Sequence, residues 1–218
     1  SDDAFKSNVS YHKIAMVHGL TVGELAHMIN GEKWLENGAQ CKVTVIPVAN
    51  YDHAKHYELP VIPSPSLPNH LSVRLYSSLC LFEGTEISVG RGTDMPFQVV
   101  GFDLPVYGDF AYTPGEKAGM VKHVEGKGQT MYGTDLRGLD ANKQTFTLKY
   151  VLDMYNKMPD KSKFFTRAAF FDKLAGTDQL RKQILAGKTE NEIRKSWEPE
   201  LKEYKQMRAK YLLYPDFN

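Results

Sequence analysis

The sequence predicts a mixed α+β (α/β) protein with a short mixed sheet, flanking helices and a helical C-terminal region. Two observations support this class. Short strand-like apolar runs, separated by glycine and proline, fill the first two thirds of the chain, and helical patterns with capping signals follow from Thr147 onward. With 218 residues, 42% apolar and 24% charged, the composition is typical of a globular protein with one large or two small domains.

Composition also excludes several classes of function. The net charge of +1 gives no support for nucleic-acid binding, and no apolar run approaches the length of a membrane span. His53 and His56 could share one helical turn, but no third ligand stands at a telling spacing, so we expect no metal and no cofactor. For Cys41 and Cys80 the sequence favours two buried thiols over a disulfide without settling their state.

The N-terminal segment predicts one short strand and one helix after an irregular start. Residues 14–17 form the strand candidate. Thr21 and Glu24 then make a capping box that opens a helix ending at Gly31, so Glu24 is interpreted mainly as a structural residue. His18, just before this helix, could face a ligand or bond a backbone carbonyl, and both interpretations stay open.

Two further stretches precede the middle of the chain. Residues 41–48 are rich in valine and end near Pro47, which predicts a buried strand. Residues 59–68 contain four prolines, which restrict the chain to extended conformations. We therefore place a domain boundary near residue 62, followed by a helical turn within residues 69–81.

The densest run of chemically capable residues lies between Phe82 and Phe97. Residues 85–89 alternate like a strand, and glycines then bracket Arg91. Such a turn can point backbone N–H groups at an anion, and arginine offers a planar fork suited to a carboxylate or phosphate. The simpler interpretation, a tight hairpin with surface ion pairs, has about equal weight. A dinucleotide-binding loop is disfavoured because Pro96 opposes an immediate helix.

Strand candidates and then helices complete the chain. Residues 98–102 form a strand candidate, residues 107–119 a loop, and residues 121–124 and 129–132 a pair of short strands. Tyr132 in that pair could contact a sugar or be partly buried structure. Helices are predicted in residues 147–158, 164–175 and 178–186. A second capping box, Thr189 with Glu192, predicts the start of a last helix. We expect Trp197 of this helix to lie in the core and Pro199 to kink the helix or to split it in two.

Several motifs in order resemble the NamZ-type exo-β-N-acetylmuramidases. They cover nearly the whole chain: residues 17–26 (Val-His-Gly-Leu-Thr-Val-Gly-Glu-Leu-Ala), 45–47 (Val-Ile-Pro), 63–68 (Pro-Ser-Pro-Ser-Leu-Pro), 82–97, 176–181 (Gly-Thr-Asp-Gln-Leu-Arg) and 211–214 (Tyr-Leu-Leu-Tyr). Two positions depart from the family pattern. Ser66 and Glu86 stand where the family usually or often has Asn, so the resemblance does not define side-chain contacts there.

The resemblance implies a longer enzyme of which this sequence is the C-terminal part. Family members are nearly twice this long, and their N-terminal half is a Rossmann-like domain with a Glu-His-Gly motif that supplies the proposed catalytic glutamate. No such motif stands in this sequence. We expect residues 1–62 to be the tail of that domain, and residues 63–218 to be a C-terminal α+β domain lining the active-site cleft.

The implied activity is release of terminal N-acetylmuramic acid from peptidoglycan fragments by an exported, extracytoplasmic (periplasmic or secreted) bacterial glycoside hydrolase. The expected partners are peptidoglycan-derived sugars and the N-terminal domain. Arg91 would bind the lactyl carboxylate, and Glu83 is the candidate for a second, catalytic carboxyl group or for a contact to sugar hydroxyls. The full set of candidate binding residues is Glu83, Thr85, Ser88, Arg91, Thr93, His18 and Tyr132. The alternative is a non-catalytic carbohydrate-binding or structural companion domain.

Overall fold

The computed structural model, which describes residues 3–119 and 124–217, combines α-helices with one small three-stranded sheet. The elements in these ranges are the helices α1 Val22–Gly31, α2 His70–Leu79, α3 Lys149–Lys157, α4 Ala168–Ala175, α5 Gln179–Leu185 and α6 Glu190–Ala209, and the strands β1 Val99–Phe102, β2 Phe110–Tyr112 and β3 Met131–Asp135. Short 3₁₀ turns, among them Cys80–Gly84, connect them. The predicted mixed α+β class is confirmed.

Helix starts follow the predicted capping signals. The Thr21 and Thr189 side chains each accept from the backbone N–H three residues on, and Glu24 and Glu192 return the contact. Helix α2 has a third capping box, between Asn69 and Ser72. Because these boxes satisfy backbone donors within four consecutive residues, they can be recognised in the sequence without knowledge of the tertiary fold.

The sheet has the order β1-β3-β2, with all pairs antiparallel. Val99 pairs with Asp135, and Phe110 pairs with Gly133. Strand β1 confirms the prediction for residues 98–102. Strand β2 lies within residues 107–119, so the predicted loop is wrong at three residues. A strand of three residues is too short to show an alternating apolar pattern.

Strand β3 begins within the predicted strand at residues 129–132 and runs on to Asp135. Its predicted hairpin partner, residues 121–124, falls outside the described residues except for Val124, which is not in a strand. Among the described residues, β3 pairs with β1 and with β2.

The predicted strands at residues 14–17 and 41–48 are wrong. Neither stretch pairs with another strand in the described residues. Residues 41–48 are not buried either, since Ile46 is 83% exposed and Val48 66% exposed. Val45 instead packs against helix α1 at Gly23, where an added Cβ would lie 2.6 Å from Val45 Cγ1.

The C-terminal helices agree with prediction except at one boundary. Helix α4 begins at Ala168 rather than near Phe164, because Arg167 has non-helical backbone angles (φ −122°, ψ 53°) at the N-cap. Pro199 lies inside α6, which continues through it. Trp197 is half-buried against the main core, which confirms its structural interpretation. No helix in the described ranges has the length and apolar character needed to cross a membrane.

Three apolar clusters of different size occur among the described residues, and one of them consists of the sheet residues Val99, Tyr112 and Met131. The main core joins α2, β1, α3, α4, α5 and the start of α6, and its fully buried members include Leu79, Phe82, Phe97, Phe164 and Phe171. A smaller cluster of Leu20, Met28 and Tyr204 joins the N-terminal segment to α6. The 82–97 stretch therefore lies on the large core, and His18 lies beside the small one.

Candidate functional site

Glu83 is held at the surface of the main core by the residues around it in sequence. Helix α2 passes directly into the 3₁₀ turn Cys80–Gly84, in which Leu81 and Phe82 are fully buried. The Glu83 side chain exposes only 18% of its area. Because its chain neighbours are fixed in the core, the carboxylate has a defined place at the rim of the domain.

The segment after Glu83 is not the predicted strand. Ser88 and Gly101 form a single isolated bridge, with N–H···O distances of 2.9 and 3.0 Å in the two directions. Thr85, Ile87 and Val89 are buried, as the alternation indicated, but Ser88 is buried too. The alternating pattern of residues 85–89 therefore arises because side chains pack on the core, not because the segment pairs within a sheet.

The two glycines around Arg91 adopt left-handed backbone angles, as predicted. Gly90 and Gly92 have φ values of +77° and +78°, a region that glycine enters without steric cost. Thr93 N–H donates to Gly90 O at 3.1 Å and closes the turn. At Gly92 an added Cβ would also lie 2.3 Å from Gly115 O, so a larger residue would disrupt this turn.

Arg91 does not project from the turn into solvent but folds back onto the core. Its Nη2 donates to Glu83 Oε1 at 3.1 Å, and its side chain is only 13% exposed. The guanidinium carbon lies 5.0 Å from the centroid of the Phe97 ring, in cation–π contact. Glu83 and Arg91 thus form one partly buried ion pair with a fixed geometry.

This ion pair presents both an acceptor and a donor to an approaching ligand. The Arg91 Nε atom is buried and has no hydrogen-bond partner among the described residues, which for a buried donor costs about 1–3 kcal/mol. The contacts to Glu83 and Phe97 must offset that cost. A ligand carboxylate that reached the Arg91 guanidinium would gain a charge-assisted hydrogen bond, while Glu83 could accept from hydroxyl or amide groups.

Tyr76 belongs beside this ion pair, although the sequence motifs do not single it out. Its ring meets Phe97 edge-on at 5.0 Å, and 37% of the residue is exposed. Burial and then the negative charge of Glu83 raise the pKa of Tyr76. The signal was present in the sequence, because Tyr76, Cys80 and Glu83 follow at i, i+4 and i+7, which places them on one helical face.

The three predicted hydroxyl ligands are engaged in the turn itself. Thr85 Oγ1 donates to Phe82 O at 2.8 Å, and Thr93 Oγ1 donates to Gly90 O at 2.6 Å. Ser88 Oγ accepts from Gly90 N–H at 3.3 Å. In this structure all three stabilise the backbone that carries Glu83 and Arg91, and substrate contact by their hydroxyls stays a prediction.

The other two candidates, His18 and Tyr132, lie on different elements. The His18 carbonyl accepts from Tyr204 Oη at 2.8 Å, and its Nδ1 accepts from Leu20 N–H at 3.1 Å, which assigns the ring proton to Nε2. Burial and then the charge of Arg208 lower the pKa of His18, so the ring is neutral. Tyr132 is a half-buried residue of β3. A ligand role for either stays a prediction.

Glu24 is a structural residue, as the sequence indicated. It is fully buried and accepts from Thr21 N–H, from His53 Nε2 at 3.0 Å and from Leu213 N–H at 2.8 Å. Nothing in the described chain gathers three metal-ligating side chains in one place. Both cysteines are free, but Cys41 is exposed, so the prediction of two buried thiols is wrong for that residue.

Comparison with known proteins identifies matches along both parts of the chain. The family described as "Exo-beta-N-acetylmuramidase NamZ, C-terminal" matches residues 74–214, and the corresponding N-terminal family matches residues 1–71. The Bacillus subtilis (strain 168) protein named peptidoglycan beta-N-acetylmuramidase NamZ is 30% identical over 96% of this chain and 54% of its own length. The chain therefore spans about half the length of this relative.

Two solved structures from Bacteroides fragilis NCTC 9343, both described as DUF1343 family proteins, have a similar fold. One is 42% identical with a TM-score of 0.93, covering 99% of this chain and 61% of its own. The second is 22% identical with a TM-score of 0.77, covering 98% of this chain and 61% of its own, and supports the fold alone.

Proposed function

The chain belongs to the NamZ exo-β-N-acetylmuramidase family, and on that premise we propose that it forms part of a glycoside hydrolase that releases terminal N-acetylmuramic acid from peptidoglycan fragments. The name of the Bacillus subtilis relative supports this choice of substrate. Peptidoglycan lies outside the bacterial cytoplasm, so we place the enzyme there. The chain's own contribution is one wall of the substrate cleft.

The observation that carries the proposal is the Glu83–Arg91 ion pair beside Tyr76 and Phe97. N-acetylmuramic acid differs from N-acetylglucosamine by a lactyl group with a carboxylate, and an arginine fork suits a carboxylate. The half-exposed Tyr76 ring offers an apolar face to a sugar ring and a hydroxyl to its substituents. An acceptor, a donor and an aromatic surface thus lie close together, and a muramyl sugar has a group that suits each of them.

We assign Glu83 to substrate binding and place the main catalytic carboxylate in the N-terminal half that relatives of full length possess. Glycosidases commonly use two carboxyl groups, and the Glu83 carboxylate is already engaged by Arg91, an arrangement that suits a hydrogen-bond acceptor for sugar hydroxyls. In this proposal residues 1–62 belong to the N-terminal domain and residues 63–218 form the C-terminal domain.

The N-terminal half would also be a physical partner of this chain. Large apolar side chains that are exposed among the described residues concentrate before residue 63, including Val22, Ile46 and Val48. Val22 precedes Gly23 in α1, and Ile46 follows Val45, which packs on α1 at Gly23. Because exposed apolar surface marks interaction sites when it is contiguous, this concentration supports the N-terminal half as the partner.

Binding of N-acetylmuramic acid and N-acetylglucosamine, measured by calorimetry or NMR titration, tests the proposal. We expect the wild-type chain to prefer the muramyl sugar and Arg91→Ala to lose about 1.5–3 kcal/mol of its binding free energy, the value of a charged hydrogen bond. Arg137→Ala is the matched control, because Arg137 also combines an ion pair, to Asp135, with a cation–π contact, to Phe110.

The same proteins distinguish the alternatives. Equal affinity for both sugars, or equal loss in both variants, would contradict the assignment of Arg91 and favour a structural companion domain. A chromogenic N-acetylmuramide then separates binding from catalysis. We expect the full-length Bacillus subtilis relative to hydrolyse it and this chain to leave it intact. Release by this chain that Glu83→Gln abolishes would make Glu83 the catalytic residue instead.

A further inference from the structure

Arg167, which is distant in sequence and outside every motif described above, holds the loop that carries Glu83. The residue lies immediately before α4. Its backbone N–H donates to Gly84 O at 3.2 Å, and its Nη2 donates to Thr85 O at 2.9 Å. Main chain and side chain of one arginine thus bind the two residues that follow Glu83.

A buried carboxylate fixes the orientation of this arginine. Arg167 Nη2 also donates to Glu125 Oε1 at 2.7 Å, and the Glu125 side chain is only 6% exposed. Charge-assisted hydrogen bonds of this length are among the stronger contacts in a protein. Glu125 and Thr85 O share the Nη2 atom of Arg167, so the carboxylate, the guanidinium and the Glu83 loop form one continuous chain of contacts.

Close packing of the same loop against α4 removes the remaining freedom. A Cβ added at Gly84 would lie 2.5 Å from Phe171 Cβ and 2.7 Å from Phe171 Cα. The main chain next to Glu83 therefore rests directly on the fully buried Phe171 of α4. On the other side of Glu83, the side chain meets Arg91. The loop is therefore held on one side by Arg91 and on the other by α4. On the α4 side, Phe171 provides the apolar packing and Arg167 the hydrogen bonds.

We infer that Arg167, oriented by Glu125, is a positioning residue that fixes the Glu83 carboxylate for its contacts with Arg91 and with a muramyl sugar. The inference rests on the proposed function for its ligand but not for its local geometry. Groups that recognise a ligand need positions fixed to a fraction of an ångström by residues behind them. The Glu83 loop meets that condition, because Arg167 forms hydrogen bonds with its main chain.

Arg167→Gln tests the inference, with Arg181→Gln as the matched control. Arg181 forms a comparable ion pair with the nearly buried Asp172, at 2.9 and 2.7 Å, and within the described part of the chain its side chain makes no hydrogen bond to residues 83–91. Two readouts apply: affinity for N-acetylmuramic acid, and amide hydrogen exchange at Thr85 and Ile87, whose N–H groups are bonded inside the loop.

We expect Arg167→Gln to weaken muramyl binding by about tenfold, since a shift of about 1 Å in a positioned group can cost up to about a hundredfold. Exchange at Thr85 and Ile87 should quicken relative to the amides of β1. Arg181→Gln should change the melting temperature without either effect. Arg167→Lys, which retains the charge, should recover part of the loss and serves if the glutamine variant does not fold.

The two proposals fail in different ways. If the wild-type chain does not bind N-acetylmuramic acid, the proposed function fails, and amide exchange still tests the positioning role. Wild-type binding together with unchanged affinity and unchanged exchange in Arg167→Gln would overturn the role of Arg167. Equal effects of the Arg167 and Arg181 variants on both readouts would also overturn it, because they would reflect global stability.

Discussion

Similar apolar patterns in the sequence lead to different degrees of burial in residues 63–217 and in residues 3–62. In the later part, apolar patterns predict elements that the structure buries, such as β1 and α3. In the earlier part, equally apolar stretches remain extended and exposed, as at Ile46. The difference shows that an apolar pattern alone does not determine burial. A stretch with such a pattern becomes buried only where another apolar surface packs against it.

The two parts also differ in what holds them. The later part has a large apolar core, whereas the earlier part is attached through a small cluster and a set of polar contacts to the C-terminal region. Arg208 Nε donates to Gly19 O at 2.8 Å, and His53 N–H donates to Pro215 O at 3.1 Å. We therefore expect substitutions to reduce stability through lost packing in one part and through lost hydrogen bonds in the other.

The largest expected effect contrasts a core residue with an exposed apolar one. Phe164→Ala should lower the free energy of unfolding by about 3–5 kcal/mol, because Phe164 is fully buried in the main core. Ile46→Ser, at an 83% exposed position, should change it by no more than about 0.5 kcal/mol. Urea unfolding measures both. Comparable losses would mean that residues 41–48 are buried in solution, against the difference described above.

The second contrast compares two capping boxes that have the same local chemistry. Glu24→Gln should cost about 1–3 kcal/mol, because this buried carboxylate also accepts from His53 and from Leu213 N–H. Glu192→Gln removes the same cap contact at an exposed position and should cost clearly less than Glu24→Gln. Thermal unfolding compares them. Similar losses would indicate that Glu24 acts only as a cap and does not connect the N-terminal segment to the C-terminal tail.

Local signals were predictable from the sequence, and contacts between distant segments were not. The capping box at Thr21 and the left-handed angles of Gly90 and Gly92 depend on neighbouring residues alone. The direction of the Arg91 side chain depends on Phe97 and Glu83 together, so an arginine between glycines looked free when it was paired.

The same reason explains the missed residues and the wrong strands. The link between Arg167 and the Glu83 loop joins segments that only the tertiary fold brings together, and no spacing in the sequence reports it. A strand likewise needs a ladder partner, which a pattern in one segment cannot supply. Site chemistry could thus be located to one stretch, while its supporting contacts could not.

The smallest expected effect concerns the ion pair at the end of the chain and its dependence on pH. Hydrogen bonds from Arg208 lower the pKa of Asp216 from its ordinary 3.8 to about 2. A carboxyl whose pKa is lower in the folded state stabilises the fold above its ordinary pKa and loses that contribution as the pH falls towards the folded value. Because the Asp216 side chain is 42% exposed, solvent screening limits the contribution to less than about 1 kcal/mol.

Asp216→Asn should therefore reduce the free energy of unfolding slightly near neutral pH, and the deficit relative to wild type should shrink as the pH falls below about 4. Urea titrations of both proteins across this range measure the change. A deficit that stays constant with pH would show that Asp216 contributes through neutral hydrogen bonding rather than through its charge. In that case the hydrogen bonds from Arg208 to Gly19 would not depend on the charge of Asp216. The stability that these polar contacts give to the N-terminal segment would then be as independent of pH as the stability of the main core.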